Sequence, residues 1–65
     1  MKLEKFIKLF KNVNYKGKTV IVELDNNCSI FAHDYRIGYN DKVIGLGYEK
    51  HFIATVNLKN IRNVW

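Results

Sequence analysis

The sequence has 65 residues, with 11 basic against 6 acidic side chains and a net charge of +5; at that length one domain is expected, burying only about 60% of its unfolded surface. Its one cysteine, Cys28, excludes an internal disulfide, and no Cys/His cluster has the spacing of a structural zinc site. A hydrophobic fraction of 48% excludes a disordered chain, so stability has to come from dense packing or self-association.

Leu3, Phe6, Ile7 and Phe10 repeat at the i, i+3, i+4, i+7 spacing of a helix, with Glu4, Lys5, Lys8 and Lys11 on the other side. The pattern stops at Asn12, so a helix is expected over 2–11 with a loop at 14–17. Lys8 and Lys11 interrupt the apolar stretch an export signal needs, and no run approaches the roughly 18 apolar residues of a membrane span. With one thiol and no export signal, a reducing cytoplasm is the expected location, and no membrane partner is expected. Lys5, Lys8, Lys11, Lys16 and Lys18 read as a solvated face that steers polyanions.

From Lys18 the period becomes two, predicting strands over 18–24 and 28–37 joined by Asp25-Asn26-Asn27. A three-residue loop, with Asn27 in the left-handed conformation, sets Val20, Val22 and Leu24 beside Cys28, Ile30 and Ala32 on one apolar face. Cys28 is then a buried small hydrophobe. The opposite face carries Ile21, Phe31 and Tyr35 among Thr19, Glu23, Ser29 and His33. Such a face has to be covered by the helix, by curvature of the sheet or by another molecule. Ile21, Phe31 and Tyr35, with Trp65, are the expected protein-interface residues.

After the turn at 38–41, strands are expected over 42–48 and 51–58 around Glu49-Lys50. Gly45 and Gly47 share a face opposite Ala54 and Phe52, where they make room for an aromatic ring or permit a bend. Apolar residues spaced by three from Leu58 suggest one tight turn before a last strand over 61–65. Trp65 is either a plug for the core or an exposed anchor. The fold class is α+β: an N-terminal amphipathic helix followed by a four- to five-stranded, strongly bent antiparallel sheet.

No constellation for catalysis stands out. Cys28 and His33 leave opposite faces of a regular strand, and Glu23 with Asp25 reads as a solvated edge rather than a metal site. Neither an enzyme nor a cofactor is expected. Tyr35, Arg36, Tyr39, Lys42, Tyr48 and Lys50, with His51, interleave aromatic and basic residues around the turns, the side chains that stack bases and neutralise phosphates. They are the candidate nucleic-acid-binding residues.

The order helix, long hairpin, second hairpin and Leu58-x-x-Ile61-x-x-Val64 resembles small SH3-like and Sm-like barrels, which implies a barrel closed by a one-turn helix and a short final strand. The Sm-like glycine before the closing strand is missing from 57–62, so no uridine-binding residue is carried over. Lys, Asn, Ile, Phe and Tyr make up about half the chain while Pro and Gln are absent, the usage of an AT-rich genome. Size and charge are similar to those of small accessory proteins of phages and plasmids, some of which inhibit host nucleic-acid machines such as CRISPR effectors. The expected function is therefore a non-catalytic nucleic-acid-binding module or nucleic-acid-associated regulator. The alternatives are an inhibitor or adaptor docking on a host protein, or a homo-oligomer, most simply a dimer.

Overall fold

In a computed structural model covering all residues, Met1–Trp65, the first element is a helix, α1, over Leu3–Tyr15. It runs four residues past the expected end. Val13 continues the apolar stripe of Phe6 and Phe10, and the Asn14 side-chain amide donates to the His33 carbonyl at 2.7 Å, so tertiary contacts override the poor propensity of two asparagines. The helix ends where Gly17 takes φ 72°, its amide bonding Asn14 O while that of Lys16 bonds Val13 O.

Six strands follow: β1 Val20–Leu24, β2 Ser29–Ala32, β3 Asp34–Ile37, β4 Val43–Tyr48, β5 His51–Asn57 and β6 Ile61–Val64. They form two three-stranded antiparallel sheets, β2-β1-β6 and β3-β4-β5, rather than one continuous bent sheet. The expected long second strand is divided at His33, and its two halves belong to different sheets. A single-turn 3-10 helix, Leu58–Asn60, carries the chain from β5 to β6, which returns beside β1.

The first hairpin has the expected register: Val20 faces Ala32, Val22 faces Ile30, and Asn27 closes a three-residue loop at φ 67°. Asn26 Oδ1 accepts from the Cys28 amide, an Asx turn that fixes the loop. Cys28 itself is exposed, not buried as expected, because it stands at the loop end beyond the last core pair. In the second hairpin Glu49 and Lys50 both have positive φ, the conformation a two-residue turn requires. A bulge at Ile53 shifts the pairing, so that Gly47 faces Phe52 as expected but Gly45 faces Thr55 instead of Ala54.

The core lies between the sheets and under the helix. Phe6, Phe10, Val20, Val22, Ala32, Ile44, Leu46, Val56, Leu58, Ile61 and Val64 are buried, and no polar side chain is. Phe6 and Phe10 are tied to Tyr35 by edge contacts at 5.5 and 4.9 Å. Each such aromatic pair adds about 0.5–1.5 kcal/mol beyond its buried area.

Candidate nucleic-acid interface

The six residues expected to bind nucleic acid do not form one surface. Tyr35 is the clearest departure. The break at His33 changes the phase of the strand, so Tyr35 turns inward onto Phe6 and Phe10 instead of sharing an outer face with Ile21 and Phe31. Tyr48 is half-buried and stacks on the His33 ring at 4.0 Å with an interplanar angle of 22°, while His33 Nε2 lies 3.1 Å from the Thr19 hydroxyl. Both rings have neighbours within the protein.

Arg36 and Lys50 do meet. With His51 and Phe52 they border a groove of about 640 Å³ on the outer face of the second sheet, above Gly45 and Gly47. Gly47 leaves room for the Asp34 carboxylate, and Gly45 for the Phe52 ring edge, 3.6 Å from where a Cβ would stand. Phe52 is 72% exposed, so an aromatic ring does flank the groove, but it is one the sequence pattern did not single out. Tyr39 projects into solvent at 82% exposure from a turn in which Asn40 and Asp41 both have positive φ. Lys42 lines a separate groove with Lys2 and Lys59, beside the Met1 ammonium, which donates to the Leu58 carbonyl at 2.8 Å.

Charge singles out a different surface. Residues 1–18 hold six lysines against Glu4 alone, whereas from residue 19 onward five bases balance five acids, so the whole excess of +5 resides in the first 18 residues: Lys2 ahead of α1, then α1 and the loop behind it, where Glu4 stands on the lysine side four residues before Lys8. Lys5, Lys8 and Lys11 are exposed along one side of α1. Tyr15 lies four residues beyond Lys11 and seven beyond Lys8, on the same side, and is 92% exposed. Lys16 and Lys18 extend the stripe past Gly17. The helix is a rigid support for it, because Phe6 and Phe10 on the other side are fully packed.

No family model, no curated protein and no solved structure matches this chain. Its chemistry has to be read from its own residues.

Asp34 and His51 line the groove with Arg36 and Lys50, and three further side chains of types used in catalysis lie elsewhere. Cys28 stands alone on a loop shoulder, His33 is held between Thr19 and Tyr48, and Glu23 lies 3.4 Å from the Arg62 guanidinium, which also donates to Asn27 at 2.8 Å. No helix is long and apolar enough to cross a membrane.

The expected protein-interface residues fare differently. Ile21 faces Phe31 across the first hairpin, and Ile21 and Trp65 exchange backbone hydrogen bonds of 2.6 and 2.9 Å. Phe31, Ile21 and Trp65 thus form a row across three strands, with Phe31 56% and Trp65 57% exposed. Trp65 is not a core plug. Only Tyr35 leaves this group.

Proposed function

We propose that this chain is a non-catalytic nucleic-acid-binding module, whose contact surface is the lysine side of α1 and the loop that follows. One observation carries the reading: the whole positive excess lies in the first 18 residues, with Lys5, Lys8 and Lys11 on one side of α1, Lys16 and Lys18 behind it, and a 92% exposed tyrosine among them. Lys5 to Lys11 spans about 9 Å of helix axis, a length over which a duplex presents on the order of five phosphate charges. Tyr15 offers a ring that can stack on an unpaired base. The groove bordered by Arg36, Lys50 and Phe52 is a secondary contact, because Asp34 and Glu49 beside it offset its charge. The site of action is a reducing cytoplasm, in keeping with a lone exposed thiol. The return of β6 beside β1 supports reading the two sheets as halves of a small SH3-like barrel.

Titration of labelled DNA and RNA at several salt concentrations tests the proposal. If Lys5, Lys8, Lys11, Lys16 and Lys18 each displace a counterion, the slope of log K against log salt is about −3.5 on a single strand and about −4.5 on duplex DNA. Lys8→Glu with Lys11→Glu is expected to weaken binding at least tenfold and flatten the slope by about two. Binding indifferent to salt, or unchanged in the double variant, refutes it.

A second reading, a mobile-element inhibitor or adaptor that docks on a host protein, is favoured by the exposed row Phe31-Ile21-Trp65. It predicts salt-insensitive capture of one protein, lost in Phe31→Ala.

A further inference from the structure

We infer that the outer face of the first sheet is a self-docking surface whose occupant is a second copy of this chain. This inference is independent of the nucleic-acid reading, since no residue of the row belongs to the lysine stripe.

The row is accessible for a structural reason. Val20, Val22, Ile30, Ala32 and Val64 turn inward to the core that α1 covers with Phe6 and Phe10, so the alternate residues Ile21 and Phe31, with Trp65, turn away from the helix. None of the three belongs to the core cluster or to the hydrophobics packed against it. Two neighbouring aromatic rings, each more than half exposed, flank the half-buried Ile21. Clustered apolar surface of this kind is what association removes from water.

Charge decides between a second copy and other occupants. Two chains of +5 repel wherever α1 is presented. On the first sheet the charged groups at the row's border are Glu23 and Arg62, 3.4 Å apart and mutually neutralising. This is the face on which two like-charged copies approach with least repulsion. A strongly acidic or basic partner would instead find no counter-charge here.

The row is also compatible with itself. A two-fold interface sets the same patch against itself. An axis running across the strands lays Ile21 on its own image and the aromatic row on the aromatic row. Thr19 and Glu23 lie one alternate position to either side of Ile21, so the same axis sets Glu23 of one copy over Thr19 and His33 of the other. No like charges meet. The row offers three side chains against the roughly 20–30 residues a side of a standard interface, so the dimer is weak. In it both lysine stripes face outward.

Sedimentation equilibrium on the nuclease-treated full chain, from about 10 µM to about 1 mM and at low and high salt, tests this directly. The weight-average mass should climb from the chain mass of 7.7 kDa toward twice that value, and high salt should not abolish the rise. Phe31→Glu and Trp65→Glu should stay at the chain mass while keeping the wild-type circular dichroism. Should Trp65→Glu unfold, Phe31→Glu decides alone. Arg36→Glu, on the other sheet, should associate as wild type does. The inference is overturned if the wild-type chain is monomeric at about 1 mM, if association disappears in high salt, or if Phe31→Glu associates normally. A chain that remains monomeric while this face captures a different protein also overturns it, and favours the adaptor reading.

Discussion

At the scale of single residues, two glycines have little room: a Cβ at Gly38 would stand 2.9 Å from the Val43 carbonyl oxygen, and Gly47 is nearly as confined. A Cβ there would fall on the Asp34 carboxylate and within 3.2 Å of the His51 carbonyl oxygen, which belongs to the paired backbone and cannot move aside. Gly47→Ala is therefore expected to destabilise by about 1–3 kcal/mol in urea unfolding. Gly45→Ala, whose added methyl meets only ordinary contacts, should cost less. The glycines were legible as spaces for neighbours, but which neighbour fills each was not: the Ile53 bulge moves the register opposite Gly45 by one residue, and Gly47 takes its neighbour, Asp34, from β3 on the other side. Cys28 shows a similar limit. Alternation assigned it to the apolar face, yet burial depends on how far the core extends, and here the core ends before the loop.

At the scale of elements, the first hairpin was readable because only one loop length makes a wholly apolar face. Its left-handed residue is testable. Asn27→Val should lose about 1–2 kcal/mol of stability, since a branched side chain resists positive φ, while Asn27→Gly gives up mainly the bond from Arg62 and should cost less; urea melts of both variants check the order. The break at His33 was not readable. Residues 28–37 contain no Gly or Pro to mark a break, although Asp34 is a poor strand former, and the bend is stabilised from elsewhere in the chain: Asn14 donates to the His33 carbonyl, and the His33 amide donates to Gly47 O at 2.7 Å. The inward turn of Tyr35 follows from that break. An expectation built on strict alternation therefore placed the ring on the wrong side. The helix end was missed for the same reason, since Asn12 and Asn14 are weak helix formers whose placement is decided by partners remote in sequence.

At the scale of the whole molecule, the margin of stability is small. A chain of this length is held by about 3–10 kcal/mol, whereas truncating a buried phenylalanine removes about 3–5. Phe10→Ala, which also strips Tyr35 of a ring contact, is expected to leave much of the chain unfolded at 37 °C, as a thermal melt by circular dichroism will report. Lys8→Glu, on the solvent side of the same helix, should leave the melt nearly unchanged, which separates loss of folding from loss of binding. The total charge was evident from composition. Its concentration in residues 1–18 could be counted from the sequence as well. It was passed over because the lysines of α1 read as a solvated face and the turns as the binding surface; what the fold adds is that Tyr15 stands exposed on the lysine side.

That uneven distribution acts before anything touches. A body with most of its surplus charge along one helix has an electric dipole, and near a polyanion it experiences a torque as well as a pull. Within about a Debye length, 8–10 Å at physiological ionic strength, rotational diffusion is biased so that α1 leads and the neutral sheets trail. Orientation is thus set during approach, and encounters in which the wrong side arrives first become rarer as ionic strength falls.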